Sequence, residues 1–226
     1  MGNGITILTP TGDRQEAFDI CKKYVERQTV KPGQWLVIDD GNIRTEVPDW
    51  ATYVRREKSE SDPKHTLPLQ MLESFPYIDN DYIFIFEDDD WYAPNYIELM
   101  LPFLKEHELV GLGHTTYYHV KSGYRRHANM GHASFCHTCF NCSIIGPLRE
   151  VCEKTKVPTI DLQIWKYNLD RKILRFKKQP SLGIKGLPGR KGTYLHNGCG
   201  YTKDPNHKFL KDFIGEDYEI YARYLI

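Results

Sequence analysis

The stretch Tyr82-Ile83-Phe84-Ile85-Phe86-Glu87-Asp88-Asp89-Asp90-Trp91 decides how this chain is read. Five apolar or aromatic residues run directly into four consecutive carboxylates. The run has no polar alternation and is rich in Ile and Phe, which is the pattern of a strand buried on both faces of a parallel sheet. Four adjacent acids at the end of such a strand repel one another strongly, because the local dielectric is low. A divalent cation relieves that repulsion, and hard carboxylate oxygens suit Mg²⁺ or Mn²⁺. An acidic surface turn is the simpler reading of any acid run. The place of this one, at the carboxyl end of a buried strand where open α/β sheets bind ligands, favours a metal site.

Upstream, Gly4 to Thr11 reads as a first strand ending in Thr9-Pro10-Thr11, with Asp13 placed to cap the helix after it. From Arg14 to Gln28, Ala17, Phe18, Ile20, Cys21, Tyr24 and Val25 recur at helical spacing. Trp35 to Ile38 is a second apolar strand, and it too ends in acids, Asp39-Asp40-Gly41. Strand, helix, strand in this order is a βαβ unit, whose strands are parallel and whose crossover is right-handed. Further along, a short strand is expected at Thr52 to Val54, a helix at Leu67 to Ser74 and another at Asn95 to His107 behind Pro94. Strands are expected at Leu109 to Gly113, Thr115 to Val120 and Cys139 to Ile145, and helices at Leu148 to Lys154, Ile160 to Leu169 and Asn206 to Ile226. Lys121 to His137 reads as irregular. Strands alternating with helices give an α/β class with a mainly parallel sheet.

Composition narrows the function classes. The length of 226 residues suits one sizeable core, and the formal net charge of zero gives no global pull toward nucleic acid or anionic membrane. No apolar run approaches the length needed to span a bilayer, and the N-terminus lacks a signal-like pattern, so an integral membrane segment is not expected and a cytoplasmic location is. Six Cys, unevenly spaced, do not suggest a secreted disulfide scaffold. Aromatic content of 13%, with 15 Tyr, suits pockets that stack rings against ligands.

Three elements taken together carry a resemblance. The Leu8-Thr9-Pro10-Thr11 strand end, the Val37-Ile38-Asp39-Asp40-Gly41 strand end, and Glu87-Asp88-Asp89-Asp90 followed by Pro94 resemble, in order and spacing, family 2 glycosyltransferases of the GT-A fold. The likeness covers roughly residues 4–170. It implies a GT-A, Rossmann-like three-layer sandwich forming a single domain over 1–226, with a nucleotide-binding part at about 1–95 and an acceptor-binding part at about 96–226. It implies that Thr9, Thr11, Asp39 and Asp40 face the base and ribose of a nucleotide-diphosphate sugar, most readily a UDP-sugar. Arg14, Asp88, Lys185 and Arg190 are the further candidates for donor contacts. The acidic run corresponds to the family's DXD element, which holds Mn²⁺ or Mg²⁺ against the diphosphate. Counting back from Pro94 places Asp89 at the metal-binding position, with Asp90 beside it and Glu87 where an Asp is usual. A late His is a third metal ligand in some GT-A enzymes, which makes His196 a candidate, although a lone His is more often structural.

An inverting transferase needs a base to deprotonate the acceptor hydroxyl. Ile160-Asp161-Leu162-Gln163-Ile164-Trp165 resembles the family's base-bearing helix, and Gly215-Glu216-Asp217-Tyr218 is a competing copy near the C-terminus. Asp161 is the preferred base. A helix N-terminal acid that only complements the helix dipole is the alternative for both. Arg171 to Lys191 is strongly basic and its second half is Gly-rich, which fits a diphosphate clamp, a surface for an anionic acceptor including DNA, or a solvated strand and loop. Cys136, Cys139 and Cys142 with His132 invite a zinc reading, but alternation along a strand would point Cys139 and Cys142 apart, and buried core thiols are expected instead.

The expected function is therefore a metal-dependent glycosyltransferase acting on an acceptor hydroxyl of a glycan or, alternatively, of a hydroxymethylated base in DNA. Nucleotidyl transfer and a non-catalytic nucleotide-sugar-binding module are the readings from other classes. Nucleotidyltransferases normally show a Gly-rich loop after the first strand, and Thr9 to Arg14 has one Gly.

Overall fold

Ile5 and Ile7 face one way and Leu8 the other in the opening strand, β1 (Gly2–Thr11), so this strand already serves two hydrophobic layers. The computed structural model describes residues 2–154, 159–190 and 198–226. Helix α1 (Gln15–Glu26) buries Ala17, Phe18, Ile20, Cys21, Tyr24 and Val25, the stripe that helical spacing predicts. Strand β2 (Gln34–Asp39) returns parallel to β1, in register from Thr6 opposite Gln34 to Thr11 opposite Asp39. That register brings the two polar strand ends side by side.

The remaining elements run in the order β3 (Thr52–Arg55), α2 (Leu67–Ser74), β4 (Asn80–Ile85), β5 (Trp91–Tyr92), α3 (Tyr96–Leu104), β6 (Leu109–Leu112), β7 (Thr116–His119) and β8 (Gly123–Arg126). After them come β9 (Thr138–Asn141), α4 (Ile145–Lys154), α5 (Ile160–Ile164), β10 (Arg171–Leu174), β11 (Ser181–Lys185), α6 (Lys208–Ile214) and α7 (Tyr218–Tyr221). Seven strands form one sheet in the order β10-β6-β9-β4-β1-β2-β3. All its pairings are parallel except those of β9, which is antiparallel to both β4 and β6. A second sheet, β5-β11-β7-β8, stands beside it.

Side-chain alternation sorts the core into layers. Trp35, Val37, Phe84 and Phe86 join Ile5 and Ile7 against α1, α3 and the C-terminal helices. Leu36, Ile38, Ile83 and Ile85 join Leu8 against α2, α4 and α5. Sheet covered by helices on both faces is the three-layer α/β arrangement expected from the strand pattern. Tyr24 and Tyr221 tie the C-terminal segment to α1 through a 2.9 Å bond between buried hydroxyls. Tyr221→Phe leaves the Tyr24 hydroxyl buried and unpaired, and is expected to cost about 1–3 kcal/mol. A lower denaturant midpoint at unchanged slope is the readout.

Four expected elements are corrected. The strand expected over Cys139 to Ile145 stops at Asn141, whose side chain accepts from the Ser143 N–H and starts a helical turn. The helix at Ile160 closes after one turn and a half, at Ile164. The single helix expected from Asn206 to Ile226 is broken at Gly215, whose φ of 64° is left-handed. Finally, the segment read as irregular holds β8, which pairs with β7 as a hairpin.

Candidate active site

The four carboxylates follow β4 after one residue, Phe86, and two buried cations reach them from distant parts of the chain. The turn after β1 is what brings the first. Asp13 sits at φ 56°, and its carboxylate accepts from the backbone N–H groups of Asn42 (2.6 Å) and Ile43 (3.0 Å). This fixes the next residue, Arg14, so that its guanidinium spans Asp88 (3.1 Å) and Asp89 (2.9 Å). Thr11 Oγ1 donates to the other oxygen of Asp88 at 2.7 Å.

The second cation is Lys185, at the end of β11. Strand β11 pairs with β5, and the Ile184 N–H donates to Asp90 Oδ1 at 2.7 Å, so backbone bonds carry Lys185 to the acids. Its ammonium lies 3.1 Å from Asp89, 3.0 Å from Asp90 and 3.7 Å from Glu87, with only 6% of the side chain exposed.

Burial sets the electrostatics. Desolvation pushes Asp88 up and Asp90 well above the usual carboxylate range, against the opposing charges of Arg14 and Lys185. Glu87 is raised to about 7 for the same first reason, with Lys185 opposing and the neighbouring acids adding to the rise. For Arg14 and Lys185, burial alone would favour the neutral form. The surrounding carboxylates outweigh it and hold both firmly charged.

A cleft of about 330 Å³ opens over this cluster, lined by Thr11, Arg14, Glu87, Asp88, Lys185 and Arg190 on one side. Asp161, in the first turn of α5, lines the same cleft together with His127, His132 and Cys136. The Leu162 N–H donates to Asp161 Oδ1 at 2.8 Å. Burial raises the Asp161 pKa above the ordinary range, while that backbone bond and His132 pull the other way. The competing acid is placed elsewhere: Asp217 accepts from Arg27 and from Trp91 Nε1, both at 2.6 Å, and does not line this cleft. Its role is to hold the C-terminal segment to α1 and β5. Asp217→Ala orphans both donors and is expected to lower thermal stability by about 1–3 kcal/mol.

The other sequence candidates divide. Thr9 is corrected: it is fully buried, accepts from Trp35 Nε1 at 2.9 Å and faces the α1 layer rather than the cleft. Asp39 is likewise enclosed, with Gly41 N, Thr45 N, Tyr53 Oη and Arg55 all within 3.0 Å of its oxygens. These donors lower its pKa despite its burial, and it serves as the brace of the β2 loop. Asp40 is buried beneath Arg190, whose guanidinium contacts it at 2.7 Å. His196 and Lys191 lie outside the described residues.

The basic run does not act as one surface among the described residues. Lys185 and Arg190 enter the cleft, whereas Arg171 and Lys172 are exposed on edge strand β10. The thiols do not converge either: Cys139 is in the core, Cys142 meets Asp81 at 3.6 Å, and Cys136 faces the cleft. Sequence reasoning missed Lys64, Gln70, His127 and Cys136 as cleft residues. Of these, Gln70 donates to the backbone carbonyls of Thr11 (2.7 Å) and Ile38 (3.2 Å), locking α2 to the strand ends.

The donor set fits a divalent ion. Four acids face two buried cations, which leaves two negative charges when all are ionised. Asp90 Oδ2 is buried with no hydrogen-bond partner. Asp89, favoured by the Pro94 register, has one oxygen on Arg14 and the other on Lys185, so Asp90 and Glu87 offer the more open oxygens.

A mainly parallel sheet whose strand ends present an acid cluster at a cleft has the architecture of the GT-A glycosyltransferases. The chain belongs to glycosyl transferase family 2, whose family model matches residues 6–169. No individually curated protein sequence matches it. Among solved structures, residues 1–349 of TarS from S. aureus superpose at a TM-score of 0.57 with 11% identity, covering 80% of this chain and 60% of that one. The same TarS fragment in complex with UDP-GlcNAc gives 0.57 at 10% identity, covering 98% and 65%. Rv0371c from Mycobacterium tuberculosis H37Rv gives 0.52 at 12% identity, covering 100% and 98%. The chain thus spans less than two thirds of the TarS fragment. Among the described residues no helix is long and apolar enough to cross a membrane.

Proposed function

We propose that this chain transfers a sugar from a nucleotide-diphosphate sugar, a UDP-sugar most readily, to a hydroxyl of a glycan acceptor, with inversion at the anomeric carbon. The observation that carries this is the shared cleft: Asp161 lines the same opening as Glu87, Asp88, Lys185 and Arg190. The TarS structure in complex with UDP-GlcNAc supports the choice of donor for a chain of this fold.

In this reading the donor lies along the ends of β1 and β2, with Thr11, Arg14 and Asp40 beneath it. Lys185 and Arg190 come from the second half of the chain, so the donor site draws on both parts of a single domain. Their charges offset the charge that develops on the diphosphate as the glycosidic bond breaks. Mn²⁺ or Mg²⁺, held by Asp90 and Glu87 with Asp89 behind them, supplies Lewis-acid stabilisation of that leaving group when bound. Asp161 takes the acceptor proton, and the interaction with His132 opposes the rise that burial gives its pKa. Because burial raises its pKa, the acid limb of the pH–rate profile should lie above the range of an ordinary Asp. Activity falls as pH drops through that raised value, since the protonated acid cannot accept a proton. An acid limb at ordinary Asp values would assign the base elsewhere.

A panel of UDP-, GDP- and TDP-sugars, each with and without Mn²⁺, tests the donor reading by thermal shift. Ligand at a hundred times its Kd should stabilise the protein by about 2.7 kcal/mol. A UDP-sugar with Mn²⁺ is expected to give the largest shift. A panel with no shift removes the proposal.

A further inference from the structure

Cys136 lines the cleft, takes no part in the proposed reaction and sits against the acids. We infer that Cys136 is a ligand to the divalent ion, its thiolate joining oxygens of Glu87 and Asp90, so that the site prefers Mn²⁺, Co²⁺ or Zn²⁺ to Mg²⁺. This rests on the metal reading proposed above and adds a soft donor to it.

The geometry is that of a built site. One ligand atom from each of Glu87, Asp90 and Cys136 lies within 4.8 Å of the other two. Ligands held at about 2.0–2.3 Å from a shared tetrahedral ion stand about 3.3–3.8 Å apart, so side-chain rotations that draw the atoms together by about 1 Å close the set. Asp90 is fully buried, and its Oδ1 is fixed by the Ile184 N–H and by Lys185. That leaves Oδ2, buried and without a hydrogen-bond partner, as the oxygen for the ion. Lys185 and the ion therefore use different oxygens of one carboxylate and can be present together.

Tyr92 holds the other two ligands in relation to each other. Its buried hydroxyl accepts from the Glu87 N–H at 3.1 Å and donates to the Cys136 carbonyl at 3.0 Å. Outer-shell bonds of this kind orient metal ligands and sustain affinity. A thiolate among carboxylates tilts selectivity from the hard Mg²⁺ toward later divalent ions. On binding, a metal–sulfur bond replaces the S–H bond and the thiol proton leaves to solvent through the cleft; no oxidant or reductant is involved.

The test is a Co²⁺ titration of the whole chain without donor, in a Cys199→Ser background that removes the exposed cysteine. The expected result is a thiolate-to-cobalt charge-transfer band in the near ultraviolet that saturates at one equivalent. Cys136→Ser should abolish the band, weaken Co²⁺ binding at least about tenfold, and narrow the preference for Mn²⁺ over Mg²⁺. Saturable Co²⁺ binding without a sulfur band in the parent protein overturns the role of Cys136 while sparing the metal site. No Co²⁺, Mn²⁺ or Mg²⁺ binding overturns both. The parent spectrum decides the matter even where the Cys136→Ser protein folds poorly.

Discussion

Asp161→Asn is expected to reduce sugar transfer by about 10²–10⁴-fold, the range supplied by a positioned general base. Donor binding and folding should be preserved. The amide keeps the shape of the carboxylate and can still accept the Leu162 N–H bond, which is the contact that fixes this side chain in α5. It cannot take the acceptor proton. Because burial penalises the ionised carboxylate, the neutral variant should be at least as stable as the parent. Steady-state rates, donor Kd and melting temperature measured on one preparation separate these effects. A variant that turns over at the parental rate removes Asp161 as the base. One that loses activity together with donor binding shows a defect in the site as a whole.

The second large effect is expected at Lys185. Lys185→Met keeps the length and bulk of the stem but removes the ammonium that lies on Glu87, Asp89 and Asp90. Removing one partner of a buried ion pair costs about 3–5 kcal/mol, because the remaining charge has no compensation. Here Arg14 would face the acid quartet alone. The loss should be smaller below neutral pH, where the raised pKa of Glu87, about 7, lets that side chain take a proton. It should also be smaller in Mn²⁺, if an ion restores the missing charge. Chemical denaturation at two pH values, with and without Mn²⁺, reads all of this. A cost under about 1 kcal/mol under every condition would mean that Lys185 is not the counter-charge of the cluster.

How far the sequence reveals this site depends on the range of the interactions. The acid run, both polar strand ends and the βαβ order are local features, and each stands where its pattern places it. Parity within a strand is local too, but it misleads at the end of β1. Thr9 and Thr11 face the same side by alternation, yet Thr9 is taken up by Trp35 whereas Thr11, at the strand's last position, reaches Asp88. The pairing of Lys185 with Asp89 joins residues 96 positions apart. Periodicity carries no information on such a contact, so Lys185 merges into a basic run of which it is the buried exception among the described residues. Cys136 is hidden for the same reason, since its meeting with Glu87 depends on β9 lying antiparallel to β4. The two base candidates show the limit of motif letters. Asp217 sits in the competing copy of the motif, yet its carboxylate is taken up by Arg27 and Trp91, and Asp161 lines the cleft. Helical spacing overextends the C-terminal helix because one left-handed glycine, Gly215, outweighs the pattern around it.

The cleft over Glu87 to Asp90 is proposed above all to hold a nucleotide-diphosphate sugar. Calorimetric titration of UDP-GlcNAc with Mn²⁺ into the parent protein and into Arg190→Ala tests this directly, since Arg190 lines the cleft from a partly exposed position. The predicted result is saturable one-to-one binding, weaker by about 1.5–3 kcal/mol in Arg190→Ala, as expected for loss of a charged hydrogen bond. Absence of binding by UDP-, GDP- and TDP-sugars alike, or an affinity that Arg190→Ala leaves unchanged, would contradict it.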